Sequence, residues 1–276
     1  MGVQDVTPFW GEQTSYLNFC EEDYAITRYI AEFINTLSSL IYIVYGIYGL
    51  RKVSGKPGAG LRSLVYYGLM GVGVCSGAYH LSLKYHTQMS DELSMHLTTA
   101  PLLHRVLTFG KSQRYTNVLG AIMSVAWLVG FIIHATMDEF LLHAVSFAVS
   151  VYIIGIKTSR LLSERVRNPV YRAKAQGMAR FGVLAASCGY IVWLIDRWVC
   201  DSLIKMRGVV GLPLAFLFEL HGWWHVLTCI GAYTFIALVD YITTEDVDKD
   251  PVELLAWPSS WAAESVFAPK KHLKDL

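Results

Sequence analysis

Charged residues are missing from this chain over stretches as long as a lipid bilayer is thick. None occurs in 33–50, 63–83 or 115–137, and gaps of that size match the roughly 20 residues a helix needs to cross the hydrocarbon core. A fourth gap, 140–156, is at the short end of that range. Three weaker apolar segments remain: about 89–109, with Asp91 and Arg105 near its ends; about 177–198, with Asp196 near its end; and about 213–239, interrupted by Glu219. Backbone polar groups in a bilayer must find partners within their own segment, so such stretches become helices. The expected fold is all-α, a polytopic membrane protein built as a bundle of seven transmembrane helices. The composition agrees, with 54% hydrophobic and 16% charged residues, where soluble domains carry about 25% charged. A net charge of +1 without a free-standing basic run argues against a nucleic-acid partner.

Orientation follows from Lys and Arg, which accumulate on the cytosolic side of short loops. With seven crossings, 18 of the 23 fall on the side holding the C-terminus and five on the side holding the N-terminus. The N-terminus is therefore expected to be lumenal or outside and the C-terminus cytosolic. The first 32 residues contain no apolar core of a cleavable signal. The chain divides into an acidic lumenal segment (1–32), a membrane domain (33–240) and a tail (241–276) expected to be loosely ordered in the cytosol.

Ionisable side chains inside hydrocarbon are costly and mark candidate sites. Ser76 and His80, at i and i+4, share one face of the second helix, and His221 and His225 share one face of the seventh. Asp91 lies at the start of the third. In the expected topology all five sit at similar depth on the lumenal side. Three His and an open position suit a catalytic zinc, with a carboxylate available for acid–base work and a hydroxyl for the oxyanion. Interhelical hydrogen bonding by the same His residues is the plainer alternative, and haem ligation a third. The metalloprotease helix pattern is absent, since Gly222 follows His221. His86 is expected in the outer loop, His134 and His143 flank the next outer loop, and His104 and His272 lie elsewhere. His96 could reach the site but reads better as a packing residue.

Residues 1–32 carry Asp5, Glu12, Glu21, Glu22, Asp23 and Glu32 against Arg28 alone. The run Asn18-Phe-Cys-Glu-Glu-Asp23, with Glu32 beyond it, offers oxygen ligands for Ca²⁺, although an acidic solvated segment would look the same. Cys20 and Cys200 both fall on the expected lumenal side, where a disulfide between them is permitted.

The chain resembles the alkaline ceramidases of the CREST superfamily of seven-helix membrane hydrolases, most closely the fungal members. The resemblance rests on Phe9-Trp10-Gly11, Asn18-Phe-Cys-Glu-Glu-Asp-Tyr24, Tyr29-Ile-Ala-Glu-Phe33 with Asn35, Ser76-x-x-x-His80, Leu83-Lys-Tyr85, Asp91-Glu-Leu93, Ile195-Asp196, Cys200 and His221-x-Trp-Trp-His225. It implies zinc-dependent hydrolysis of the ceramide amide to a sphingoid base and a fatty acid, with ceramide and membrane lipid as partners, in the endoplasmic reticulum or Golgi membrane. It further implies that His80, His221 and His225 hold Zn²⁺ and that Ser76 and Asp91 do the chemistry. Asn18, the Phe19 carbonyl, Glu21, Asp23 and Glu32 would hold Ca²⁺, and Cys20–Cys200 would be a disulfide. One departure stands out: the family pattern has Asp where Asn18 stands and Asn where Asp23 stands, a swap that keeps the carboxylate count. The alternative from a different class is a zinc-containing seven-helix receptor of the adiponectin and progestin receptor type.

Overall fold

The computed structural model describes residues 7–137 and 140–265. Asp5, His272 and the basic ending 270–276 lie outside them. Among the described residues there are seven helices of 21 residues or more: α1 (Phe33–Val53), α2 (Ala59–Ser82), α3 (Tyr85–Thr108), α4 (Gln113–Met137), α5 (Phe140–Arg165), α6 (Pro169–Trp198) and α8 (Leu220–Ile242). Two shorter ones, α7 (Cys200–Val210) and α9 (Ser259–Ser265), and three 3₁₀ turns complete the described fold, which contains no strand. Five helices, α1, α4, α5, α6 and α8, are long and apolar enough to cross a membrane. The two others of that length, α2 and α3, are those on which Ser76, His80, Asp91 and Glu92 sit.

Every expected segment is helical, with shifted ends. The third helix begins at Tyr85 rather than about 89, so His86 and Asp91 lie within it rather than in or beside a loop. The reason is local: Leu83 takes the left-handed conformation (φ 50°) that closes α2, and only Lys84 separates it from the next helix. The last long helix starts at Leu220, because 214–218 forms a 3₁₀ turn. At α6, Asn168 caps the first turn by accepting from the amides of Val170 (2.9 Å) and Tyr171 (3.3 Å), with Pro169 at the first helical position, as that start requires.

Packing places α8 at the centre. Of its membrane-length window 72% is buried inside the protein, against 6% for α4. Around it stand α1, α2, α3, α5 and α6, while α4 packs on α3 and α5 and turns most of its apolar side chains outward. Two glycines set the spacing of α2 against its neighbours. A Cβ on Gly73 would stand 2.8 Å from the carbonyl oxygen of Ser39, and one on Gly68 would stand 2.5 Å from that of Leu97. Only hydrogen there lets α2 lie against α1 and α3 with backbone touching backbone.

The segment after α8, expected to be loosely ordered, is folded as far as residue 265. Pro251, Leu255, Ser259, Ala262 and Ala263 are buried, and the segment packs on α6 and α8.

Candidate metal centre

The i, i+4 spacing of His221 and His225 turns both rings to one face of α8, and α2 brings His80 opposite them. Ring centroids are separated by 5.0 Å (His80 to His221), 4.9 Å (His80 to His225) and 4.6 Å (His221 to His225). One ligand atom from each lies within 4.8 Å of the others, and all three side chains are buried.

The outward nitrogens of two rings are already committed. His80 Nδ1 meets the Glu32 carboxylate, and His225 Nδ1 meets the Ser38 hydroxyl at 2.8 Å. Such partners fix tautomer and ring orientation at metal-binding His. They leave the Nε2 atoms of His80 and His225 for the centre. His80 Nε2 and His221 Nδ1 are buried without a hydrogen-bond partner, a state that costs free energy unless something polar fills it. Nitrogen donors in that number, buried and convergent, fit a zinc ion.

Ser76 and Asp91 flank the triad. Ser76 Oγ lies 3.4 Å from His225 Nε2 and 3.0 Å from Ser39 Oγ, and the Asp91 carboxyl is within hydrogen-bonding reach of Ser76. Sequence reasoning missed Ser38 and Ser39. Their signal was present, because Asn35, Ser38 and Ser39 at i, i+3 and i+4 make a polar stripe on an otherwise apolar α1.

The acidic segment lies over this centre. Phe19 stacks on His221 with centroids 3.6 Å apart, and its amide donates to Glu32 Oε1 at 3.1 Å. Glu32 also accepts from Asn35 Nδ2 at 3.1 Å, so one carboxylate joins the N-terminal segment, α1 and the triad. Glu21 accepts from the free amides of Ile34 (2.6 Å) and Asn35 (2.8 Å) at the start of α1, where a helix favours negative charge. The exchanged pair bond one another, Asn18 Nδ2 donating to Asp23 Oδ2 at 3.1 Å. Burial pushes the Glu21 and Glu32 carboxyls up to about 7, and the mutual repulsion of the two raises Glu21 further. Oxygen donors crowded until they hold protons near neutrality fit a bound cation such as calcium, which would relieve the repulsion.

A Cys20–Cys200 disulfide, with Cα atoms 5.3 Å apart, ties this segment to the start of α7. Asp196 accepts from the Cys20 amide at 3.1 Å. Arg207 donates to the Cys20 carbonyl at 2.6 Å and pairs with Glu219 at 2.5 Å.

The remaining His residues have other work. His96 lies 3.1 Å from His143 Nδ1 and packs on Trp127, so it is a packing residue as expected. His134, on α4, pairs with Glu92 of α3 at 2.7 Å, a tie that the sequence reading did not anticipate. His104 faces the Thr116 carbonyl at 3.0 Å.

Comparison with known proteins gives a consistent result. A family model described as Ceramidase matches residues 11–269. An alkaline ceramidase of Saccharomyces cerevisiae is 29% identical over 246 residues, covering 84% of this chain and 78% of that protein. Alkaline ceramidase 3 of Mus musculus is 29% identical over 237 residues, covering 86% of each. An alkaline ceramidase of Arabidopsis thaliana is 25% identical over 233 residues, covering 83% and 84%. These matches do not favour the receptor alternative.

Proposed function

This chain belongs to the ceramidase family, and we propose that it hydrolyses the amide bond of ceramides, of the phytoceramide or dihydroceramide type, to a sphingoid base and a free fatty acid. In this reading the chain crosses the membrane seven times, with the triad at the lumenal side, in the endoplasmic reticulum or Golgi. The observation that carries it is the buried triad with its unspent nitrogens beside Ser76 and Asp91.

His80, His221 and His225 would hold zinc, which supplies Lewis-acid polarisation of the amide carbonyl and an activated water when bound. The protein's own groups do the rest. Asp91 takes the proton from the attacking water and returns it to the amide nitrogen as the C–N bond breaks. The Ser76 hydroxyl donates to the oxygen of the former carbonyl as charge develops on it, and Ser39 orients that hydroxyl. Glu32 and Ser38 hold the His80 and His225 rings in place. Asn18, the Phe19 carbonyl, Glu21, Asp23 and Glu32 would hold calcium, which fixes the N-terminal segment over the centre. The substrate's two chains lie along apolar helix faces while its polar head reaches the triad, as an amphiphile requires.

The test is His80→Ala in the purified full-length protein. Loss of both zinc and ceramide hydrolysis is expected, and a full metal equivalent with normal turnover would overturn the assignment.

A further inference from the structure

The segment after α8 turns back toward the middle of the molecule. Ser259 Oγ lies 2.6 Å from Thr234 Oγ1, and Thr234 is eight residues before the end of α8. Tyr45, eight residues before the end of α1, donates to the Trp257 carbonyl at 2.8 Å. At 1.5 Å per residue both contacts are about 12 Å inside the helix ends. Helical tyrosines lean toward the helix N-terminus, so the hydroxyl of Tyr45 does not reach down to a surface segment. One leaflet of hydrocarbon is about 15 Å deep, and Arg51, Lys52 and Asp240 mark its edge near the same helix ends.

Sequence and hydrogen bonding both suit that depth. Residues 254–263 contain no charge. Irregular backbone is tolerated in a bilayer only where protein satisfies it, and here tyrosines from the long helices do so. Tyr48 donates to the Leu255 carbonyl (3.1 Å), and Tyr233 donates to the Leu254 carbonyl (3.1 Å) while accepting from the Ala256 amide (3.2 Å). Lys174 near the start of α6 pairs with Asp250 on the way in and with Glu264 (3.6 Å) on the way out. Leu255, Ser259, Ala262 and Ala263 are buried against the helices, whereas Trp257 is 75% exposed and Trp261 53% exposed. Val44 and Ile47 of α1, at the same depth, are exposed too.

We infer that residues 254–263 form a re-entrant segment inside the hydrocarbon of the leaflet opposite the triad, with Trp257 and Trp261 against lipid acyl chains. This rests on α1 and α8 crossing the membrane, which the experiment checks separately. Single cysteines W257C, W261C, V44C and K249C are placed in a full-length chain carrying C75S, C188S and C229S, labelled with a small fluorophore and reconstituted in phosphatidylcholine vesicles. The vesicles bear a nitroxide either mid-chain or on the headgroup. At 257 and 261, as at 44, the mid-chain nitroxide should quench about twofold more than the headgroup one, given the depth of one leaflet, and at 249 the order should reverse. Chain quenching at 44 with headgroup or aqueous quenching at 257 and 261 would overturn the re-entrant segment while leaving the crossing intact. Absence of chain quenching at 44 would overturn both. A second variant, Y233F in the W261C chain, should raise quenching by aqueous iodide, because it frees two backbone groups of the segment; no change would contradict the anchoring.

Discussion

The two poles of the helix bundle handle buried polarity in opposite ways. At the pole away from the triad, Arg62 grips Asp240 with two bonds (2.8 and 2.5 Å), Arg105 adds a third contact at 3.1 Å, and Asp246 joins through Arg62 (3.6 Å), Lys56 (3.2 Å) and Lys249 (2.8 Å). Donors and acceptors there close on one another. At the triad pole, Glu32, Ser38 and Ser39 steer side chains inward, and His80 Nε2 and His221 Nδ1 are left unspent. Closed networks hold helices together; open ones, costly to the fold, are kept where a ligand completes them.

The contrast breaks most sharply through the fold. Asp240→Ala leaves Arg105 without its carboxylate and Arg62 with only the longer contact to Asp246, and should cost about 3–5 kcal/mol, read as a large fall in the thermal midpoint of the purified protein. Asp91→Asn should do the reverse, lowering ceramide hydrolysis about 10²–10⁴-fold, the worth of a general base, with the melting profile nearly intact. Should Asp91→Asn unfold the chain, or Asp240→Ala leave it as stable as before, the division of labour between the poles is wrong.

Smaller changes sharpen it. Ser38→Ala removes the partner of His225 Nδ1 and should weaken zinc binding about 10–100-fold, measured by competition with a chelator. The smallest effect concerns pH. The Glu21 carboxyl sits at about 7 against an ordinary 4.5, so below pH 7 calcium must displace a proton from it. Calcium affinity should therefore climb as pH rises from about 6 to 8 and then level off, by roughly tenfold or less. Without calcium the sign for stability is opposite. Between 4.5 and about 7 the unfolded chain has released the proton that the folded one keeps, so stability falls as pH rises through that window. Titration calorimetry at pH 6 and 8 checks the first, and equal affinity at both would remove Glu21 from the calcium site.

Much of this was legible because it is local. Gaps between charges expose helices whatever the rest of the chain does, and i, i+4 spacing puts Ser76 with His80 and His221 with His225 on single faces. Contacts between residues far apart in the chain were not legible. Arg62 and Asp240 are 178 positions apart, and nothing near either announces the other. Glu32 was read as a calcium ligand, but its bond to His80 depends on how α1 meets α2. The tail misled for a similar reason. Its Pro and Ser residues look like those of a loose extension, and the tyrosines that order it belong to α1 and α8.

The central claim, that the buried triad holds a metal that cleaves ceramides, meets its most direct test in the release of fatty acid from defined ceramides by the purified protein. Steady release that a zinc chelator abolishes and added zinc restores is the expected result. Release that survives complete removal of zinc, or none from the zinc-loaded protein, would contradict it.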